Sequence, residues 1–194
     1  MSSPSQIFIL AEDQRQKQLI YRFLARAGVR PHQVAFELSP SGRGSAEQWV
    51  RENFVRQARK CRARQARAGT AMFVMQDADI LTVQERLNAL DEALVGAGQP
   101  PVSREHDPIA RLIPKRNVET WIQFLSTTGV VAPPVDEEQD YKRTRTPDEW
   151  SVLVSLAAEV LFAWTRPTAV LPENLIDSLR LGLQEIPHAL PVGR

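Results

Sequence analysis

Three acidic residues carry the strongest chemical signal in this sequence. Glu12 directly follows the apolar run Ile7-Phe8-Ile9-Leu10-Ala11, and Asp77 and Asp79 follow Thr70-Ala71-Met72-Phe73-Val74-Met75-Gln76. If the chain stays extended past the second run, two residues of spacing project both aspartates from one face. A strand-end position of this kind is expected to leave Asp77 facing solvent. Open α/β sheets place their ligands at the carboxyl ends of parallel strands, so all three carboxylates can meet at one crevice. Without a counter-ion they would repel and raise each other's pKa, whereas a hard divalent cation neutralises them and takes oxygen ligands. Mg²⁺ is the natural occupant and Mn²⁺ a substitute. Such an ion can orient a phosphodiester, stabilise charge on its oxygens and lower the pKa of a bound water. Glu12 would then serve as metal ligand or general base, and Asp77 and Asp79 as metal ligands. The plainer reading is that these acids end strands or cap helices; Asp79 is placed to cap a helix near Leu81.

Other residues could support the same chemistry. Lys115 and Arg116 follow a further strand on the same edge, where they would contact a scissile phosphate or balance transition-state charge, or else lie in a solvated loop. Glu119 would join the metal site or serve as a first-turn helix acid. Gly42-Arg43-Gly44-Ser45 lies between a strand and a helix. Its amides and Arg43 could hold a phosphate, although a turn that uses the glycines for positive φ accounts for it as well. Between Arg51 and Arg67 there are seven basic residues and one acid. That surplus suits a nucleic-acid backbone or a partner's acidic surface.

Positioning these residues requires a βαβ series. Strands are expected at Ile7–Leu10, Val34–Leu38, Thr70–Met75 and Ile109–Ile113, alternating with helical patterns, which predicts a mostly parallel four-stranded α/β sheet flanked by helices. Leu19, Ile20, Phe23, Leu24 and Ala27 keep helical spacing, and Gly28 supplies a stop. Ser45 with Gln48 and Thr82 with Glu85 make capping boxes, and Asn117 caps the helix bearing Val118, Trp121, Ile122 and Leu125.

Beyond Gly129 the character changes. Residues 131–145 hold adjacent prolines, the run Asp136-Glu137-Glu138 and then Lys142, Arg143 and Arg145, and read as a surface linker. Thr146-Pro147-Asp148-Glu149 then opens a helix striped with Trp150, Leu153, Val154, Ala157, Val160, Leu161 and Trp164. A second helix, carrying Leu175, Ile176, Leu179 and Leu183, follows Pro172. The expected division is an α/β domain over 1–130, a linker, and a helical extension over 146–194. The apolar stripes of that extension need cover from the core or from a partner.

Composition narrows the classes. The 194 residues suit a single domain with such an extension, and 43% hydrophobic with 24% charged residues is ordinary for a globular chain. With 24 basic and 23 acidic residues, any nucleic-acid or membrane preference must be local. Cys61 is the only cysteine, which excludes an intrachain disulfide and a cysteine-rich zinc site and fits a reducing compartment. No run approaches the roughly 20 apolar residues of a membrane span, so a cytoplasmic protein is expected.

The acid closing the first strand, the Asp-x-Asp closing the third and the downstream helix with Arg86 resemble the TOPRIM domain of topoisomerases, primases and OLD nucleases. Ile113-Pro114-Lys115-Arg116-Asn117-Val118-Glu119-Thr120-Trp121 is similar to the Pro-x-x-x-x-Glu-x-Trp stretch of small stand-alone TOPRIM-like proteins encoded beside ATPases in bacterial defence loci. The resemblance covers about residues 6–125. It implies a TOPRIM-like Rossmannoid fold and an Mg²⁺-dependent nuclease acting on DNA or RNA. It further implies an effector subunit of an antiviral complex, in a hetero-oligomer with an ATPase of ABC/SMC or OLD type. Many members have glycine after the first glutamate and a second acid four residues on, where this chain has Asp13 and Gln16. Asp13 would partly replace that carboxylate, and the number of metals stays open. The rival reading is a non-catalytic TOPRIM-fold subunit that binds a partner protein or nucleic acid; a third is another Mg²⁺-dependent phosphotransfer or phosphatase activity.

Overall fold

The computed structural model describes residues 4–40, 45–129 and 134–191. Four parallel strands, β1 (Gln6–Ala11), β2 (Val34–Leu38), β3 (Thr70–Met75) and β4 (Ile109–Leu112), form one sheet in the order β2-β1-β3-β4. The connecting helices are α1 (Gln14–Arg26), α2 (Ala46–Ala68) and α3 (Val83–Gly96), followed by α4 (Val118–Thr127), α5 (Pro147–Trp164) and α6 (Asp177–Ala189). This is a Rossmannoid α/β architecture with a C-terminal helical extension. The chain leaves β1 towards β2 on one side and later returns to β3 on the other. The β1/β3 boundary is therefore the topological switch point, where such sheets open a crevice.

Strand alternation divides the core. Ile7, Ile9 and Ala11 of β1, with Ala71, Phe73 and Met75 of β3, pack beneath α1, α4, α5 and α6. Leu10, Met72 and Val74 face α2 and α3 on the opposite side. All six residues of β3 are buried, as a central parallel strand covered on both faces must be.

Local chemistry sets the helix starts. Ser45, Thr82, Asn117 and Thr146 each accept a hydrogen bond from the amide three residues on, and Glu85 and Glu149 complete reciprocal boxes. Two limits differ from the sequence expectation. The last helix begins at Asp177, so Leu175 and Ile176 are buried ahead of it, and β4 ends at Leu112 with Ile113 buried beyond.

The C-terminal helices cover the core of their own chain. Trp150, Val154, Ala157, Ala158 and Leu161 of α5 are buried in the cluster that α1 and α4 share. α6 lies along β4, and there Glu185 accepts the Arg111 backbone N–H at 3.2 Å, satisfying a donor that an edge strand leaves unpaired. Trp121 donates from Nε1 to Ser178 Oγ at 2.7 Å, and its ring lies so close to Gly182 that a Cβ there would run into it.

Candidate functional site

Asp77 and Glu12 are brought together by the hydrogen-bonding phase of the two central strands. Past the end of β3 the chain remains bonded to the β4 side, with Gln76 N–H donating to Leu112 O at 3.2 Å and Ala78 N–H to Pro114 O at 2.8 Å. The intervening Asp77 N–H therefore points the other way, towards the end of β1, where Glu12 Oε2 accepts it at 3.1 Å.

Gln16 locks the pair. Its Oε1 accepts the Glu12 N–H at 2.9 Å, while Nε2 donates to Asp77 Oδ1 at 2.8 Å and to Glu12 Oε2 at 3.3 Å. The two carboxylates thus lie within two hydrogen-bond lengths of each other. The other Asp77 oxygen, Oδ2, faces Lys142 Nζ at 3.3 Å. Asp13 is the N-cap of α1, its Oδ1 accepting from the amides of Arg15 and Gln16. That role fixes Gln16 on the first turn, aimed at the strand ends.

Electrostatics follow from burial. Asp77 is 1% exposed, not facing solvent as its strand-end position suggested. Burial, and then the neighbouring Glu12, hold its carboxyl well above the ordinary aspartate range against the pull of Lys142. Burial likewise raises Glu12, opposed by the Asp77 N–H, Gln16 and Arg86. For Lys142, burial acts to lower the pKa, but Asp77, Glu119 and Asp79 outweigh it and the pKa rises.

Asp79 corrects the extended Asp-x-Asp expectation. Its φ is +55°, a left-handed conformation in the turn closed by Leu81 N–H on Ala78 O at 3.0 Å. Asp77 and Asp79 therefore do not project as strand neighbours: the first is buried and the second exposed. Asp79 still lies close enough for its charge to raise both Glu12 and Lys142. It does not cap the next helix, since Thr82 does.

Glu119 is fully buried and forms an ion pair with Arg15. Burial raises its pKa, and its Oε2 has no hydrogen-bond partner among the described residues. Lys115 stands on the same edge, with Nζ 3.3 Å from Leu81 O and 3.1 Å from Glu138 Oε2; Arg116 beside it is half-buried. Arg43 and Gly44 lie outside the described residues. Arg86 is buried, paired with Glu47, and donates to Ala78 O at 3.3 Å, bracing the Asp79 turn.

Lys142 was not among the residues the sequence singled out, because it lies in the segment read as a linker. That segment also carries specific contacts. Asp140 accepts from Asn117 Nδ2 at 2.9 Å, Glu137 accepts the Asp177 and Ser178 amides at 3.1 Å, and Tyr141 packs on the core. The available signal was Tyr141, a lone aromatic in a polar run and a natural anchor for its neighbour.

A divalent cation suits this donor chemistry in part. Glu12, Asp77, Asp79, Asp13 and Glu119 form an all-oxygen acidic set that outnumbers Lys142 and Arg15; burial raises the pKa of Glu12, Asp77 and Glu119, and Glu119 has one orphan carboxylate oxygen among the described residues. Yet no group of three or more His, Cys, Asp or Glu side chains stands ready to hold a metal ion among the described residues. Lys142 already faces one oxygen that an ion would take. No family model matches the chain, and comparison with curated proteins and with solved structures finds no match either. Among the described residues no helix is long and apolar enough to cross a membrane.

Proposed function

We propose that this protein is a metal-dependent phosphodiesterase of nuclease type, with Glu12, Asp77 and Asp79 holding Mg²⁺ or Mn²⁺. The observation that carries this reading is the coupling of Glu12 and Asp77 through the Gln16 amide at the β1/β3 switch point, with the Lys142 ammonium on the other oxygen of Asp77. A bound ion would supply Lewis-acid polarisation of the phosphoryl oxygen. Gln16 holds the two carboxylates in fixed orientation. Glu12, its pKa raised by burial, retains a proton to higher pH than an ordinary glutamate and is suited to proton transfer. Lys142, displaced from Asp77, and Lys115 are placed to offset charge on phosphate oxygens. Membership of an ATPase-regulated antiviral complex, with an ABC/SMC or OLD-type partner, rests on the sequence resemblance and forms part of the same proposal.

The test is cleavage of DNA and RNA by the protein, alone and together with the proposed ATPase partner, in Mg²⁺ and in Mn²⁺. Asp77→Asn keeps an oxygen acceptor for Gln16 but removes the charge, so activity should be lost while the fold remains. Near wild-type cleavage by that variant would sink the reading.

The Lys142–Asp77 pair also favours a second reading, a non-catalytic subunit in which the ammonium has taken the place of the metal. Gln16, standing where the resemblance expects an acid, agrees with it. In that case calorimetric titration with Mn²⁺ would show no binding, and no complex would cleave nucleic acid.

A further inference from the structure

The surplus of cations on α2 is not used to hold the fold together. Arg56 pairs with Glu37, and Arg62 with Asp107. Arg51, Arg59, Lys60, Arg64 and Arg67 are exposed and make no ion pair among the described residues. The stripe of Val50, Phe54, Ala58 and Cys61 is buried, and the cations occupy the remaining surface of the helix, with Lys60 and Arg64 on the flank towards β2. Lys60 and Arg64 are one helical turn apart, about 6 Å along the axis, with Arg67 continuing the same face.

Two further features indicate what this face meets. A groove of about 180 Å³ runs between α2 and the sheet beside β2, lined by Lys60, Arg64, Gln57, Phe8, Thr70 and also Glu37, whose carboxylate is already taken up by Arg56 and Gln57. The buried Thr70 hydroxyl has no hydrogen-bond partner among the described residues. Two cations and an unmatched donor suit an anionic oxygen. Conversely, no large hydrophobic residue of α2 is exposed, so the face lacks the aromatic or aliphatic anchors on which protein interfaces concentrate their energy.

The orientation of α2 links this face to the acidic crevice. Glu47, in its first turn, accepts from Gln76 Nε2 at 3.4 Å next to Asp77, whereas Gly69 at its end accepts from Ser5 N–H at the start of β1. The cations therefore run from about one turn beyond the crevice to the opposite edge of the sheet, roughly 24 Å between Arg51 and Arg67.

We infer that the exposed face of α2 binds the sugar–phosphate backbone of a nucleic-acid strand, with Lys60, Arg64 and Thr70 seating one phosphate, and leads the strand towards Glu12 and Asp77. Only that last step rests on the nuclease reading; the binding does not.

The experiment measures fluorescence anisotropy of labelled 30-nucleotide single-stranded DNA and RNA with the full chain in EDTA, across salt concentrations. Removing the metal separates this face from catalysis, so loss of cleavage in Asp77→Asn and loss of binding here are independent results. The triple variant Lys60→Ala, Arg64→Ala, Arg67→Ala alters exposed side chains only and should fold. It is expected to lower the slope of log affinity against log salt by about 2, given about 0.7 per phosphate contact on a single strand. Thr70→Val, matched in shape, should weaken binding about fivefold, the worth of one hydrogen bond. Unchanged affinity and slope in the triple variant would overturn the inference, as would poly-glutamate binding the wild type as tightly as the oligonucleotides, which would assign the face to an acidic protein.

Discussion

Lys142 places its ammonium 3.3 Å from Asp77 Oδ2, joining a surface segment to a buried carboxylate sixty-five positions earlier in the chain. An ammonium and a divalent cation cannot both occupy that side of Asp77, so the two must compete. Lys142→Met is expected to tighten Mn²⁺ binding in calorimetric titration while reducing cleavage by the assembled complex. Because Asp77 is buried, losing the Lys142 partner should lower stability at neutral pH more than losing a surface ion pair would. Weaker Mn²⁺ binding in this variant would show that Lys142 does not compete with the ion.

Proton linkage gives a second test. Glu12, Asp77 and Glu119 have folded-state pKa values above their ordinary ones, so the folded protein holds these protons more tightly than the unfolded chain. The stability they contribute is full below the ordinary carboxylate pKa, about 4, and is lost as pH rises through the raised values. Thermal melts of wild type and Asp77→Asn should therefore diverge from mildly acidic to neutral pH, the wild type losing ground. Parallel curves would mean that Asp77 ionises without penalty.

Gln16→Glu probes the departure at the fourth position after Glu12. The substitution removes the donor to Asp77 Oδ1 and sets a third carboxylate against two. Without metal at neutral pH it should destabilise by about 1.5–3 kcal/mol, the worth of a hydrogen bond to a charged group. Mn²⁺ should restore the melting temperature. A variant that remains destabilised in saturating Mn²⁺ would count against a cation at this crevice.

Gly182 supplies a test of packing away from the site. A methyl group there would meet the buried Trp121 ring between α6 and α4. Gly182→Ala should cost about 1–3 kcal/mol in urea denaturation, as overpacking of a closed core does, even though alanine is the better helix former. A stabilised variant would show that the ring has room to move.

The sequence alone determined the order of elements, because that order is written in local chemistry. Strand β3 was visible as an uninterrupted apolar run, and Ser45, Thr82, Asn117 and Thr146 announced their helices through side chains that bond amides three residues away. It also placed Glu12 and Asp77 at the ends of two strands. Only the tertiary structure decided that these strands are neighbours, because the pairing of β1 with β3 joins segments more than sixty residues apart. The turn that swings Asp79 out of the strand's alternation depends on a left-handed residue that spacing does not reveal. The burial of Asp77 depends on Gln16 and on Lys142 folding back from a polar segment. A carboxylate's chemistry is set by what surrounds it, and here the surroundings come from three distant parts of the chain.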